Sequence, residues 1–406
     1  MKTNPRKERR CCRQSNLAPP VFLPDELITE ILSCLRVKSL MKMKCVCKSW
    51  KTLISDSKFV KIHLNRSFAR NPCFSLVMYN RPTETDDCSF MPFSISSLLE
   101  NRYITPLKDP HYQLNDKGCR EVVGSCNGLV CLLGYSLAND NAVVWLRFWN
   151  PATRKISDKL GYLHADNYRR NSWMFVFGYD DSTNTYKIVA LNCEDVLRNV
   201  LRKPEVNMSI FSLGDNVWRS IKSLNIVPFQ LISPYSRVHD GVHFSSTINW
   251  LAPCFCPNRV SKTMIVSLDL STETYTQLMP PQSCENMPGA DGSVCVFMNS
   301  FCFYHNMING TDFIIWKMMK FGDDKSWTQF LKFNNDNLRV NCEIRFAHLI
   351  PLHLFKNGDT LVFANSLQDR AILYNWRNNI VLKPRVNNNK CWFSINCYVE
   401  SLVSTC

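Results

Sequence analysis

The apolar residues near the start of the chain recur with the spacing of an α-helix. Leu23-Pro24-Asp25-Glu26 opens this segment: proline suits the first helical position, and the two carboxylates complement the helix dipole. One apolar face follows, made of Leu27, Ile28, Ile31, Leu32 and Leu35. A second periodic run predicts two further helices, roughly Lys38–Cys45 and Lys48–Asp56. The pattern therefore predicts a small three-helix module at Val21–Leu64.

This module carries more apolar surface than three short helices can bury among themselves. Its second apolar set, with lysines between its members, consists of Leu40, Met43, Val46, Cys47, Trp50, Leu53 and Ile54. A core of this size is marginal, and such modules commonly fold with the support of a partner. We therefore expect a docking surface that another protein covers. The alternative is that the helices pack on the rest of the chain.

Beyond Leu64 the helical periodicity fades, and short apolar runs appear between clusters of turn residues. Such runs predict β-strands, so we expect the larger part of the chain to be mainly β. The runs are Cys73–Tyr79, Gly128–Leu133, Ala142–Trp149, Met174–Phe177, Lys187–Leu191, Thr263–Leu270, Asp312–Lys317 and Thr360–Ala364.

A unit of strand, polar turn and strand recurs in this region. Its marker residues are Trp149, Phe211, Leu268, Trp316 and Tyr374. They lie 62, 57, 48 and 58 residues apart, and a loose period of about fifty is typical of β-propeller blades. Residues 66–406 have room for about six or seven such blades. Two packed β-sheets are the alternative architecture.

The composition agrees with a soluble protein that has a sizeable core. Apolar residues make up 45% of the chain and charged residues 20%. The 20 cysteines form no C-x-x-C pair and no His/Cys cluster at zinc spacing, so we expect reduced thiols, no metal and no cofactor. No apolar run approaches the ~18 residues that span a membrane, and no apolar segment follows the basic N-terminus. We expect an intracellular protein of the cytosol or nucleus, without membrane association.

The net charge of +14 suggests a nucleic-acid partner until its distribution is considered. Residues 1–65 contain 14 Lys/Arg and 5 Asp/Glu, a net charge of +9, whereas the longer remainder contains 34 and 29, a net charge of +5. Nucleic-acid-binding proteins concentrate basic residues on the recognition domain. In this chain the excess of basic residues lies in the N-terminal 65 residues, partly in a predicted flexible tail at residues 1–20. Nucleic acid is therefore not the expected partner.

Two motifs resemble chemical sites and are better explained structurally. Gly124-Ser-Cys-Asn-Gly128 fits G-x-C-x-G, but an apolar run follows it where a nucleophile elbow needs a helix. Asn127-Gly128 instead predicts a type I′ hairpin turn. His239 and His243 lie on a loop-to-strand segment without a third metal ligand nearby. No phosphate-binding glycine motif is present, so we expect no catalytic residue and no enzymatic activity.

Three stretches of the helical segment together match a known pattern: Leu23-Pro-Asp-Glu-Leu-Ile-Thr-Glu-Ile-Leu-Ser-Cys-Leu-Arg-Val-Lys-Ser-Leu40, Lys44-Cys-Val-Cys-Lys-Ser-Trp50 and Leu53-Ile-Ser-Asp56. They resemble the F-box of plant F-box proteins. The resemblance implies binding to the Skp-type adaptor of a ubiquitin ligase, and through it to cullin and RING subunits. It divides ten residues between the adaptor interface and the module's own core: Leu23, Pro24, Leu27, Ile31, Leu32, Leu35, Val37, Leu40, Val46 and Trp50. Arg36 stands where the family usually has proline, which weakens the turn between two helices but keeps the apolar face.

The β-rich region carries a second set of family residues: Gly124-Ser-Cys-Asn-Gly-Leu-Val-Cys-Leu132, Trp149-Asn-Pro-Ala-Thr-Arg154, Phe177-Gly-Tyr-Asp-Asp-Ser-Thr-Asn-Thr-Tyr-Lys-Ile-Val189, Gly241-Val-His-Phe244, Asn249-Trp-Leu-Ala252, Asp312-Phe-Ile-Ile-Trp316 and Tyr398-Val-Glu-Ser-Leu402. They resemble the F-box-associated domain that follows the F-box in a large plant group, and this implies protein recognition without chemistry. The predicted fold is mainly β, with a three-helix F-box at 21–64 and a β-propeller-like domain at 65–406. We expect its blades to be of a divergent kelch type. Kelch repeats usually carry paired glycines, whereas this chain has only 13 glycines and no glycine doublet.

Both resemblances imply a substrate-recognition subunit of a Skp–cullin–F-box ubiquitin ligase, which holds a target protein for ubiquitination and degradation. One alternative is an F-box scaffold that acts outside a ligase. Another is an RNA-binding propeller, suggested by the charge and by 12% aromatic residues. No motif identifies the target. The loops Tyr79–Asp87, Asp158–Asn171 and Pro280–Gly292 are candidate target-binding segments.

Overall fold

The computed structural model describes residues 23–70, 74–80, 88–94, 103–104, 114–116, 118–168, 171–193, 206–224, 226–232, 241–254, 262–284, 292–306, 312–334, 336, 338, 349–355, 357–365, 370–383, 385–386 and 391–405. The tail predicted at residues 1–20 lies outside these ranges. Four helices come first: α1 (Asp25–Ser33), α2 (Val37–Met43), α3 (Lys48–Ser55) and α4 (Ser57–Arg70). The prediction of three helices is thus corrected to four, and we call α1–α4 the helical module.

Antiparallel strands follow the helical module. The first four are β1 (Phe74–Asn80), β2 (Cys88–Ser94), β3 (Tyr103–Ile104) and β4 (Leu114–Asp116). Sheet 2 contains β5 (Glu121–Cys126), β6 (Leu129–Ala138), β7 (Asn141–Asn150) and β8 (Lys155–Ile156), with β9 (Leu160–Ala165) also paired to β7. Sheet 3 contains β10 (Ser172–Asp180), β11 (Thr185–Cys193), β12 (Val206–Ser212) and β13 (Val217–Leu224).

The remaining sheets repeat this order. A short helix, α5 (Phe229–Ile232), precedes sheet 4, which contains β14 (Val242–Phe244), β15 (Thr247–Cys254), β16 (Lys262–Asp269) and β17 (Tyr275–Leu278). Sheet 5 contains β18 (Gly292–Phe297), β19 (Ser300–Asn306), β20 (Asp312–Met318) and β21 (Trp327–Asn334). Sheet 6 contains β22 (Leu349–Leu354), β23 (Thr360–Asn365), β24 (Arg370–Asn375) and β25 (Ile380–Leu382).

The last strands of the chain close a ring of sheets. Sheet 1 has the order β27-β1-β2-β4, so β27 (Cys391–Tyr398) pairs with a strand formed more than 300 residues earlier, with Tyr398 opposite Phe74. A short parallel pair joins β26 (Arg385–Val386) to β3. The first strands of successive sheets contact one another from β27 through β5, β10, β14 and β18 to β22. The described chain is therefore a propeller of six sheets, closed by its own C-terminal strand.

The five marker residues occupy equivalent places in this propeller. Trp149, Phe211, Leu268, Trp316 and Tyr374 all lie on the third strand of their sheet. The strand–turn–strand unit recognised in the sequence is therefore the hairpin of the third and fourth strands, in sheets 2 to 6. The propeller prediction is confirmed, and the alternative of two packed sheets is not. The first sheet had no marker because its strands come from both ends of the β-rich region.

Side-chain oxygens shape several short turns of the propeller, both between first and second strands and between third and fourth strands. In the turn after β16, Asp269 Oδ1 accepts hydrogen bonds from the N–H groups of Ser271 (2.7 Å) and Thr272 (2.9 Å). Asn150 and Asp180 act in the same way in their own turns. Such turns then need one residue in the left-handed region before the next strand. The residues with φ between 53° and 60° at this place are Arg154, Asn184, Asn216, Glu273 and Asn379.

The antiparallel order sends the connections to two opposite edges of the propeller. The turns between first and second strands, and between third and fourth strands, emerge at one edge, which we call the short-turn edge. Two such turns touch across sheets 3 and 4, where the Asp181 N–H donates to Ser246 Oγ (3.0 Å). Longer connections emerge at the other edge, including those predicted to bind a target. Within Asp158–Asn171, however, residues 160–165 form β9, and Tyr79–Asp87 and Pro280–Gly292 lie mostly outside the described residues.

A buried ion pair joins sheets 3 and 4. Lys187 Nζ lies 3.1 Å from Asp180 Oδ2 and donates to the carbonyl oxygen of Leu270 in the next sheet. The hydroxyls of Ser182 and Thr183 donate to the Asp180 carboxylate at 2.6 and 2.7 Å. Burial raises the pKa of this carboxyl, but the hydrogen bonds from Ser182, Thr183 and Lys187 outweigh burial and hold the pKa well below its usual range. Asp180 is therefore ionised at neutral pH.

Asp180→Asn is expected to lower the free energy of unfolding by about 1.5–3 kcal/mol at pH 7, because it removes the nearer carboxylate beside the buried Lys187 ammonium and leaves Glu273 Oε1, 3.9 Å away, as its counter-charge. The folded-state pKa of Asp180 is depressed, so its contribution is present above the unfolded-state pKa of about 4 and is lost as the pH falls further. Urea unfolding at pH 7 and pH 3.5 should show a gap between wild type and variant that narrows at the lower pH. Asp215→Asn, at an exposed turn position, is the control and should match wild type. A gap that stays constant with pH would contradict this account.

Candidate docking surface

The ten residues predicted for docking separate by burial. Five are exposed: Leu23, Pro24, Leu27, Ile31 and Val46. Two are half-buried: Leu35 and Trp50. Three are buried: Leu32, Val37 and Leu40. The structure therefore does not bring all ten to one surface: five of them face solvent and three lie in a core.

The exposed residues form an apolar row on the helical module. Leu23, Leu27 and Ile31 follow one another at intervals of four residues, so they project from the same side of α1. Their exposed fractions are 51%, 49% and 57%, and Val46, between α2 and α3, is 62% exposed. A single exposed apolar side chain is ordinary, but a row of large ones marks an interaction surface. We call these four residues the open face.

The other apolar side of the module packs on the propeller. Its core is a cluster of Leu32, Val37, Leu40, Ile54 and Phe59 together with Ala152 and Leu402. Ala152 lies in the turn between β7 and β8 at the short-turn edge, and Leu402 follows β27. Lys61 Nζ also donates to Asn184 Oδ1 at that edge (2.5 Å). The alternative that the helices pack on the rest of the chain is thus correct for this side of the module. The described residues of the propeller leave the open face exposed.

The helix missed in the sequence, α4, holds α1 in place. Arg66 donates to the backbone oxygen of Glu30 (2.9 Å) and pairs with its carboxylate, and Arg70 donates to the backbone oxygen of Cys34. These cations satisfy carbonyl groups at the C-terminal end of α1, which has no basic residue in its last turn. The sequence did contain a start signal for α4, because Asp56 Oδ1 accepts from the Lys58 N–H (2.8 Å) as an N-terminal cap.

The irregular residue Arg36 does not distort the helical module. Its φ is −69°, a value that proline also adopts, and its carbonyl oxygen accepts from the N–H groups of Ser39 (2.9 Å) and Leu40 (3.0 Å) at the start of α2. Arginine in place of proline therefore leaves the folded turn intact. The substitution lowers the free energy of unfolding by about 0.4–1 kcal/mol, because the unfolded chain has more conformational freedom with arginine than with proline.

Positive charge surrounds the exposed Val46. Lys44 and Lys48 flank it in sequence, and Lys42 and Lys51 lie on the adjoining helices. Burial lowers the pKa of Lys44, and the charges of Lys155 and Lys51 lower it further. Lys155 belongs to β8 of the propeller, so both parts of the chain contribute to this charge. A partner with acidic groups beside an apolar patch would relieve the repulsion.

The thiol of the G-x-C-x-G motif lies beside a histidine but is unsuited to nucleophilic chemistry. Cys126 Sγ is 3.6 Å from His243 Nδ1, and the His243 ring also contacts the Tyr179 carbonyl oxygen (2.9 Å). Burial and the charge of Asp181 raise the pKa of the Cys126 thiol to about 12, whereas a nucleophile needs the thiolate. Asn127 and Gly128 have φ of 50° and 81° between β5 and β6, which confirms the predicted hairpin turn. His239 lies outside the described residues.

The aromatic residues considered as a base-stacking platform are packed inside the propeller. Trp145, Trp149 and Trp250 are buried, and Trp218, Trp316 and Trp327 are half-buried. Two of them join neighbouring sheets: Trp218 Nε1 donates to the Gly161 carbonyl (2.7 Å), and Trp327 Nε1 donates to the Met279 carbonyl (3.0 Å). Among the described residues, no group of three or more His, Cys, Asp or Glu could hold a metal ion, and no helix is long and apolar enough to cross a membrane.

Comparison with protein families agrees with this arrangement. Residues 22–62 match the F-box domain, and residues 88–405 match the F-box associated beta propeller domain, which covers most of the chain. The chain belongs to the F-box-associated β-propeller family. The F-box is thus the helical module up to the middle of α4, and its open face is the exposed part of the F-box.

Curated relatives share the whole length of this F-box protein. The F-box/kelch-repeat protein At3g23880 of Arabidopsis thaliana is 28% identical over 397 residues, covering 95% of this chain and 96% of the relative. The F-box protein CPR1 of the same plant is 21% identical, covering 95% and 89%. Among solved structures, the β-propeller domain of the Trilobed protease from Pyrococcus furiosus is similar with a TM-score of 0.37 and 11% identity, covering 76% and 82%.

Substitutions on the two sides of the F-box should differ in how much they lower its stability. Leu27→Ser with Ile31→Ser should change the free energy of unfolding by less than about 0.5 kcal/mol per site, because both side chains already face solvent. Leu40→Ala should cost about 2–5 kcal/mol, because Leu40 is fully buried. Thermal unfolding of the purified chain measures both. Equal destabilisation by the two changes would show that the open face is not open.

Proposed function

We propose that this F-box protein is the substrate-recognition subunit of a Skp–cullin–F-box ubiquitin ligase. The two domain matches support a role in substrate recognition in general terms. The observation that carries the proposal further is the division of the F-box into two apolar sides. One side is closed by Ala152 and Leu402, and the other keeps Leu27 and Ile31 about half exposed after the chain has folded. A partner must cover that second side.

The partner that fits the open face is a Skp-type adaptor whose contact surface is apolar and acidic. Burying two large apolar side chains contributes about 1.5–3 kcal/mol each, which makes the open face the main source of affinity. The lysines around Val46 would act mainly on orientation and association rate, since charge complementarity steers encounter more than it adds affinity. Cullin and RING subunits would then be reached through the adaptor.

The propeller would hold the target protein. The short-turn edge packs on the F-box, so a target would bind at the opposite edge, where the connections between strands contain more residues. The receptor itself would do no chemistry, which agrees with the buried, protonated thiol of Cys126. It would supply proximity and orientation while another subunit transfers ubiquitin. We place this action in the cytosol or nucleus, because 20 cysteines without a C-x-x-C pair suit a reducing compartment.

Two alternatives remain to be separated from this proposal by experiment. An F-box scaffold outside a ligase would bind the adaptor, but its bound proteins would not accumulate when the proteasome is inhibited. An RNA-binding propeller would show salt-sensitive binding that survives deletion of residues 1–16, where basic residues are concentrated. The packing of the tryptophans inside the propeller speaks against a base-stacking platform.

Co-purification with a Skp-type adaptor tests the proposal. Wild-type chain should retain the adaptor, and Leu27→Asp with Ile31→Asp should weaken binding roughly a hundredfold or more, because two buried apolar contacts are lost. The matched control is Val217→Asp with Met319→Asp, two similarly exposed apolar residues on the propeller, at 55% and 63%. The control should bind like wild type. The proposal fails if wild type does not bind, and the assignment of the open face fails if both pairs bind equally.

A further inference from the structure

The residues after the last strand form a segment buried between the propeller and the F-box. We call residues 399–405 the C-terminal segment. Ser401 is 0% exposed and Thr405 is 2% exposed, although both lie close to the chain end. Leu402 belongs to the core of the F-box helices, and Val403 packs against the core of sheets 2 and 3. The segment therefore contacts both parts of the molecule within two consecutive residues.

One fully buried side chain, Asn150, holds this segment by its backbone. Asn150 Nδ2 donates to the carbonyl oxygens of Ser401 (3.1 Å) and Val403 (2.8 Å). Asn150 Oδ1 accepts from the N–H groups of Ala152 (3.0 Å) and Thr153 (3.2 Å) in its own turn. Both amide hydrogens of Asn150 thus bond the C-terminal segment, and its amide oxygen accepts hydrogen bonds from the turn.

Other turns of the propeller show which part of the Asn150 side chain shapes the turn and which part binds the C-terminal segment. Asp180 and Asp269 shape turns of the same kind with a carboxylate oxygen, so the turn itself requires an acceptor only. A carboxylate cannot donate a hydrogen bond at neutral pH. The amide of Asn150 is therefore needed for the C-terminal segment and not for the turn.

The neighbouring groups leave the segment little freedom. The hydroxyl oxygen of Tyr398 accepts from the Ala152 N–H (3.1 Å), which ties the end of β27 to the same turn. Gly128 has φ of +81°, and a Cβ atom there would lie 2.3 Å from Ser401 Oγ and 2.5 Å from the Val399 carbonyl oxygen. The Asn127-Gly128 hairpin thus closes on the segment from the other side.

We propose that the C-terminal segment is a clamp that fixes the orientation of the propeller on the F-box, with Asn150 as the positioning residue that holds it. Ala152, in the turn after β7, and Leu402, in the C-terminal segment, both enter the F-box core, and Asn150 joins that turn to the segment at the base of the contact. A fixed orientation would hold a target at a constant place relative to the ligase. That consequence rests on the proposed function; the clamp itself does not.

Hydrogen–deuterium exchange of the full-length chain without adaptor tests the clamp. Asn150→Asp keeps the oxygen that shapes the turn, removes both donors and places a carboxylate against two carbonyl oxygens. Exchange should rise at least tenfold in residues 399–405 and in α1 and α2, while β10–β25 keep wild-type exchange. The maximum dimension in small-angle X-ray scattering should increase. The control is Asn375→Asp in the equivalent turn of sheet 6, where Oδ1 accepts from the Asn378 N–H (2.9 Å) and the F-box should not respond.

A second variant acts at the other end of the clamp. Leu402→Asp leaves the Asn150 bonds in place but removes the side chain that enters the F-box core, and it should loosen the same helices. Leu382→Asp makes the same substitution at a 48% exposed leucine of β25 and should leave exchange in α1 and α2 as in wild type. Wild-type exchange in α1 and α2 for both Asn150→Asp and Leu402→Asp would overturn the clamp, as would an equal rise across all six sheets. The proposed function is tested separately, by whether the wild-type chain binds the adaptor.

Discussion

The packing of Ala152 and Leu402 against the F-box helices is the contact on which the rest of the structure depends. Helices as short as α1–α3 expose apolar groups on two sides, and their own side chains cover only part of them. The propeller covers one side, so Leu32, Val37 and Leu40 become fully buried. The chain thus folds the F-box on an internal partner and leaves the open face for an external one.

Closure of the propeller makes this contact possible. Because β27 pairs with β1, the end of the chain returns to the short-turn edge, beside the turn that contains Ala152. The F-box therefore receives part of its core from residues more than 300 positions further along the chain. Contacts over so many residues carry a loop-closure cost and are typical of slowly folding proteins.

Much of the fold could be predicted from the sequence, because the third-strand markers and the polar turns repeat a local pattern that needs no partner. Sheet 1 could not, since its strands come from distant parts of the chain and share no period. The helix α4 was missed although Asp56 offered a cap, because Phe59 and His63 form a narrower apolar stripe than α1 does. The ten residues predicted for docking stay a prediction, and periodicity alone could not separate the exposed ones from the buried ones. The side that Leu402 covers depends on a contact across more than 300 residues.

The central claim is that the F-box has one side closed by the propeller and one side open to an adaptor. Hydrogen–deuterium exchange of the wild-type chain, with and without a bound Skp-type adaptor, tests it most directly. The account predicts that the adaptor slows exchange in residues 23–31 and 44–47, around Leu27, Ile31 and Val46, and leaves residues 150–154 and 399–405 unchanged. Slower exchange at residues 150–154 and 399–405, with none at residues 23–31, would contradict it.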